Sequence, residues 1–553
     1  MRTAISLFLL ALVGRLVLVG GFPDPAYPDS FYYVNVARQL AAGHGFNTDV
    51  LWIFAEVGGK IPANPVLPIA SNAHWMPLAS LVQVPFIWIL GPTAFASALP
   101  FALIGAFAAP IAWAIGRDAG APRYVALGAG ILTALPGLSW VYMAQPDNFS
   151  LYQPLVAAAL WMAARGVRGN RRSFLLAGLF TGLATLSRND GVLVLGVLGL
   201  AFLWDRWRTR RAFGAEPPRP ARIPLATALG AVALFAVCVV PWFVRQLVVF
   251  GSLSPSTASG KVLFIRDIGE WNSITTPATL DHLLGMGIGP LLMTRVGGMV
   301  AAIEIFSVLV GVMVLVPVML VGAWHRRRDP WFGPYFAYAA ALFLFSAIVS
   351  AVHVPGGTFI HSAVALAPHG YVLALEGIVV AIAWIARRRP AWNAAQASRI
   401  FVTAAVGFGV LAAVGGSVAV HAAWSTKAER MQAVGVALDA AGAPADDRLM
   451  SIDASGYRYW TGHPGVVLVN DPLDTVYKVA AAYNTRWLIL ERDDTVPAAA
   501  QILIDGNRPA WVGPPILARP DVSVYPLCTT AADTRCSTAG TPSRAQSASG
   551  PVP

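Results

Sequence analysis

Apolar residues in most of this chain neither alternate nor keep to one helical face. They run on in long stretches, separated by short polar breaks. The runs lie at about 4–21, 94–116, 123–143, 149–165, 173–188, 191–204, 225–250, 296–322, 332–352, 362–386 and 400–422, with a further stretch at 76–91. A hydrocarbon core about 30 Å thick needs about 20 apolar residues as a helix, so the pattern predicts an α-helical polytopic membrane protein. After residue 422 the pattern changes. RLMSID, GVVLV and RWLILE read as strands and TVYKVAAAYN as an amphipathic helix, which predicts a small α/β domain over 423–536. The Ser/Thr/Pro/Gly-rich segment 537–553 is expected to be disordered.

Orientation follows from arginine. The clusters at Arg165/Arg168/Arg171/Arg172, Arg206/Arg208/Arg210/Arg211, Arg326/Arg327/Arg328 and Arg387/Arg388/Arg389 should face the cytoplasm. Eleven spans, with Arg2 inside, put every cluster there. Counting 76–91 as a twelfth span would put all four clusters outside, so this Pro-containing stretch is read as an interfacial helix within a first outer loop, 22–93. The N-terminal apolar run has no small-x-small cleavage site and is read as a retained first span. The predicted topology is a multi-pass protein of the cell membrane, with the N-terminus in the cytoplasm and the C-terminal domain outside.

Composition agrees with the pattern. Hydrophobic residues make up 56% of the 553 and charged residues 12%, against about 25% charged in soluble domains. The net charge is +11, yet the chain after residue 423 has 11 Lys and Arg against 13 Asp and Glu. The basic surplus therefore belongs to membrane topology, and nucleic-acid binding is excluded by the position of the clusters between apolar runs. Cys528 and Cys536 stand close together in the tail as either a disulfide or two free thiols, and Cys238 lies within an apolar run.

Several residues run against this background. Arg188 and Arg245 sit at the outer ends of spans, where a guanidinium needs an anionic partner. A lipid-linked phosphate suits the fork geometry, with Lys60 in an adjoining loop; snorkelling, or pairing with Asp190 or Asp147, is the plainer alternative. Asp24 and Asp29 follow the first span, and a carboxylate there suits a general base, although a helix cap or a turn would use the same residues. Eight of nine histidines fall on or near the outer side. The spacing of His353, His361 and His369 does not match a compact metal site, so hydrogen bonding to substrate or neighbouring helices is expected and no metal ligands are assigned. The sequence leaves the need for a divalent cation undecided.

Four segments together resemble the GT-C superfamily of membrane glycosyltransferases, of the protein O-mannosyltransferase and lipid A aminoarabinose transferase type: PDSFYYVNVARQLAAGHGF, GLATLSRNDG, VVPWFVRQLVVFGSLSP and GTFIHSAVALAPHGYVLALEG. The resemblance implies sugar transfer, with inversion, from a polyprenyl-phosphate donor to an extracytoplasmic glycan, lipid or protein of the cell envelope. Carried over by position, Asp29 is the catalytic acid and Tyr33 its companion on the helix. Ser30 stands where the family often has Glu, which leaves Asp24 or Asp147 as the second acid. Gln246 stands for the usual Asn after Arg245. His74-Trp75-Met76-Pro77 stands where relatives often have Lys-Pro-Pro, which offers His74 or Lys60 as further phosphate ligands beside Arg188 and Arg245. Tyr33, His361 and His369 are expected in the substrate cavity. A transporter or flippase of envelope precursors, or a non-catalytic partner of an envelope synthase, are the rival classes; the lack of an internal repeat and the large outer loop count against the transporter.

Overall fold

The computed structural model describes residues 1–211, 222–355, 357–389, 391–504, 507–530 and 533–536. The expected disordered end, 537–553, lies outside the described residues. A helix or a broken helix lies at every predicted apolar run. Six helices are long and apolar enough to cross a membrane: Arg2–Gly21, Ala94–Asp118, Leu225–Phe250, Ile288–Val310, Thr358–Ala386 and Ala394–Ala440. A bent pair, Arg123–Ala134 and Gly137–Ala144, makes up to seven. Length and polarity explain the shortfall from eleven. Phe149–Val167, Arg171–Ser187 and Val192–Arg211 carry the arginines that end the runs, and Gly333–Ile348 has 16 residues. Small residues let these helices approach closely: a Cβ at Gly178, Gly322 or Gly377 would meet backbone of the neighbouring helix within 2.1 Å.

The stretch 76–91 forms two short helices, Leu78–Leu81 and Val84–Leu90, the second begun by Pro85. Its end is apolar and open, with Trp88 and Ile89 68% and 80% exposed. Such a surface needs lipid or protein against it.

The apolar run ending at residue 422 does not end its helix. Ala394–Ala440 is one helix of 47 residues that leads directly into a six-stranded sheet. The strand order is Val50–Leu51, Gly465–Val467, Arg448–Ser451, Thr485–Glu491, Val522–Pro526, Leu517–Ala518. The first four strands are parallel and the last two pair antiparallel. The first strand comes from the outer loop, not from the tail, so the α/β unit read from the tail is completed by residues about 400 positions earlier. Further contacts fasten the two: Arg458 pairs with Asp49 at 2.7 Å, Asn35 Nδ2 donates to the Ser455 carbonyl at 3.1 Å, and the Tyr459 hydroxyl donates to Asp24 at 2.7 Å. One apolar core runs through both, joining Tyr32, Leu51, Phe54 and Trp75 to Val467, Val476 and Leu488. Cys528 and Cys536 are joined as a disulfide.

Candidate active site

The outer-loop helix Pro28–Ala41 begins with Pro28, whose fixed φ suits a first helical position. Ser30 holds the turn before it. Its hydroxyl accepts from the backbone N–H groups of Ala26 and Tyr27 at 3.0 and 3.1 Å and donates to the Tyr27 carbonyl at 2.8 Å. The residue after Asp29 thus works as a cap for the helix that carries it.

Asp29 meets residues from two distant segments. Asp147, fully buried, stands just before the helix Phe149–Val167 and accepts from the Asn148 N–H at 2.5 Å. His361, on the short helix Thr358–Ala363, directs Nε2 to Asp147 at 3.2 Å and to Asp29 at 3.8 Å. Its ring stacks on Phe149 with centroids 4.1 Å apart. Nδ1 lies 3.0 Å from the Gly357 carbonyl, which can only accept, so Nδ1 carries the proton and Nε2 is aimed at two carboxylates. Tyr33, one turn along from Asp29, accepts a hydrogen bond from Asn148 at 3.2 Å. Burial and the Asp147 charge push the Asp29 carboxyl above the usual carboxylate range; His361, the indole N–H of Trp75 and Arg188 pull it back.

The donor atoms of Asp29, Asp147 and His361 all lie within 4.8 Å of one another. Two carboxylates and one imidazole are a donor set that suits a divalent cation, and the bond from Nδ1 to Gly357 is the kind of outer contact that orients a ligating histidine. The residues fit such an ion, and of the three histidines judged on spacing only His361 is among them.

A small cavity of about 40 Å³ is lined by His74, Asn189, Trp242, Gln246 and Ser256, among others, and the next residue after His74, Trp75, donates its N–H to Asp29. Asn189 follows Arg188 and Gln246 follows Arg245, so the cavity lies between the two helix ends that carry the unusual arginines. Arg188 is paired with Asp190 at 3.1 Å and donates to the Thr358 carbonyl, which is the plainer pairing considered from sequence; its charge still reaches Asp29, Tyr33 and His74. Arg245 has no carboxylate partner among the described residues. It donates to Gln246 and Phe46 and lies 4.9–5.2 Å from the rings of Phe46, Trp242 and Phe250. The Trp242 N–H is buried without a partner among the described residues. Burial lowers His74 to about 4, so it offers a neutral ring, bonded to Ser256 at 2.6 Å.

Three predicted site residues are placed elsewhere. Asp24 is bonded to Tyr459 of the sheet unit. Lys60 is exposed and makes no ion pair or hydrogen bond among the described residues. His369 is buried in the helical core, stacked on Tyr335 at 5.0 Å. Trp75, Asn148 and Phe149 belong to the site but carry no sequence signal of their own. Trp75 lay in the HWMP segment already marked as departing from the family pattern.

A deep helical fold, an outer loop carrying an acid and a second acid just before a helix have counterparts among known proteins. Residues 74–242 match the family described as dolichyl-phosphate-mannose-protein mannosyltransferase. Among solved structures, the chain is similar to ArnT from Cupriavidus metallidurans bound to undecaprenyl phosphate, at 15% identity and a TM-score of 0.55 over 96% of this chain and 98% of that one. It is also similar to the Archaeoglobus fulgidus oligosaccharyltransferase in complex with Zn and sulfate, at 13% identity and a TM-score of 0.53 over 92% of this chain and 71% of that one. No curated protein matches. The chain has the GT-C fold of a multi-pass membrane protein, and the resemblance drawn from its sequence holds.

Proposed function

We propose that this protein is an integral membrane glycosyltransferase that moves a sugar from a polyprenyl-phosphate donor to an extracytoplasmic acceptor of the cell envelope. The observation that carries the reading is the meeting of Asp29, Asp147 and His361, with the charge of Arg188 reaching Asp29. The similarity to a transferase bound to undecaprenyl phosphate supports the choice of donor. The topology that fits is eleven crossings with the N-terminus inside. The disulfide in the tail supports an outer, oxidising location for it.

In the proposed reaction the acceptor hydroxyl gives its proton to Asp29 as its oxygen attacks the anomeric carbon. The bond from that carbon to the phosphate oxygen breaks on the opposite face, and polyprenyl phosphate leaves, which inverts the anomeric centre. Arg245, with no carboxylate partner, and the longer-range charge of Arg188 offset the negative charge on the departing phosphate. The free Trp242 N–H and the neutral His74 donate hydrogen bonds to its oxygens or to the sugar. Asp147 and His361 face Asp29 across the site. These three are also the residues that would hold a divalent cation, whose chemistry when bound is to offset charge on phosphate oxygens.

The test uses purified protein, radiolabelled polyprenyl-phosphate sugars and an envelope extract. Label should enter the extract with wild-type protein and not with Asp29→Asn, which should still bind the donor. Transfer at the wild-type rate by Asp29→Asn removes the mechanism; movement of label across liposomes without transfer favours a flippase.

A further inference from the structure

Trp75 lies in the outer loop, 6% exposed, and its indole N–H donates to Asp29 Oδ1 at 2.9 Å. Among the described residues it is the one group that donates a hydrogen bond to that carboxylate. The other oxygen, Oδ2, is the one turned toward His361. A bond on Oδ1 alone favours one orientation of the carboxyl and leaves Oδ2 as the oxygen turned to the reacting groups.

Burial by itself does not account for the contact. A buried indole N–H usually finds a partner, but those of Trp140, Trp242, Trp271 and Trp460 are buried without one among the described residues. Trp75 is instead fixed from three sides. Its ring stacks on Tyr32 with centroids 4.0 Å apart, and Trp52 meets it edge-on at 5.0 Å. Asn72 Nδ2 donates to its backbone carbonyl at 3.2 Å. Those neighbours are themselves held: the Tyr32 hydroxyl donates to Glu56 at 3.0 Å and accepts from the Asn72 N–H at 2.8 Å, and Gln246 donates to the Asn72 carbonyl at 2.7 Å. Glu56 also accepts from the Trp52 N–H at 3.0 Å. Asn72 has a positive φ of 64°, which Asn tolerates better than most residues. A chain of packed and bonded groups thus runs from Glu56 through Tyr32 and Trp75 to Asp29.

We infer that Trp75 is the positioning residue for Asp29, selecting by its N–H which carboxylate oxygen takes the acceptor's proton. The inference rests on the transferase reading. Trp75 touches no reacting atom, so its removal acts through Asp29. Because binding energy and orientation are separable, this role lowers turnover without weakening substrate binding.

The experiment compares wild-type protein, Trp75→Phe, and protein carrying 3-benzothienylalanine at position 75, which keeps the ring shape and stack and replaces only N–H by sulfur. Each is assayed for transfer from a radiolabelled polyprenyl-phosphate sugar, and its unfolding midpoint is measured in detergent. Loss of orientation predicts a fall in kcat of about 10- to 100-fold with KM for donor and acceptor within about twofold. The benzothienyl protein should show the same split at a wild-type unfolding midpoint, and it decides the matter if Trp75→Phe does not fold. An unchanged kcat in the folded benzothienyl protein overturns the inference while leaving the transferase reading intact. A raised KM with unchanged kcat also overturns it, making Trp75 part of a substrate surface. If wild-type protein transfers nothing, the reading and the inference fall together.

Discussion

At the scale of single residues, electrostatics decides which groups work and at what pH. Asp29 must be ionised to take a proton, and burial and Asp147 raise its pKa. The acid limb of kcat/KM is therefore expected above the ordinary carboxylate value of about 4, and a pH–rate profile with saturating donor checks it. Glu56 is a sharper case. It is buried, receives hydrogen bonds from Tyr32 and Trp52, and is raised to about 8 by burial. Its folded pKa exceeds its unfolded one, so its contribution to stability is fully present below about 4.5 and is lost as pH rises through about 8. Glu56→Gln should remove that dependence. Unfolding midpoints in detergent at pH 5, 7 and 9 should fall more steeply for wild type than for the variant. Position after the span marked Asp24 and Asp29 alike, and the resemblance singled out Asp29; Asp147 and His361 were legible as candidates. Their meeting was not, since it joins positions from three segments more than 100 residues apart. Asp24 misled because a carboxylate anchored to Tyr459 and a catalytic one look alike in sequence.

At the scale of elements, the short helices of 78–90 and the sheet's first strand matter most. Trp88 and Ile89 project from the former. If that end rests in the membrane interface, a fluorophore attached through Ile89→Cys will be quenched by brominated lipid, and one attached through Asp281→Cys will not. The strand Val50–Leu51 ties the outer loop to the sheet, and Arg458 reinforces it through Asp49. Arg458→Ala should raise protease cleavage within 22–93 and reduce transfer several-fold, because the partly exposed ion pair adds to an interface already held by apolar packing. Helix positions were legible from hydropathy alone. The strand pairing was not: two residues have no periodicity to read, and the partner lies across the whole membrane part.

At the scale of the whole molecule, the sign of the arginine clusters makes a topological prediction. Arg388→Cys should react with a membrane-impermeant maleimide only after permeabilisation, and Arg492→Cys in intact cells, both on a background lacking the native cysteines. The boundary at 422 was read from a loss of apolar residues, but helicity does not need an apolar environment, and Ala394–Ala440 continues for a further 18 residues. At about 1.5 Å per residue that helix is about 70 Å long, more than twice a hydrocarbon core.

The outer loop's dependence on Gly465–Val467 has a consequence for biosynthesis. Residues 50 and 51 leave the ribosome early, but the strand they pair with is made more than 400 residues later. Until then the loop lacks its neighbour in the sheet, the Arg458 contact and the Tyr459 anchor beside Asp24. The loop that bears Asp29 thus gains its partner strand only after residues 465–467 have been made, so a chain stalled before them would carry every apolar helix with that loop still unpaired.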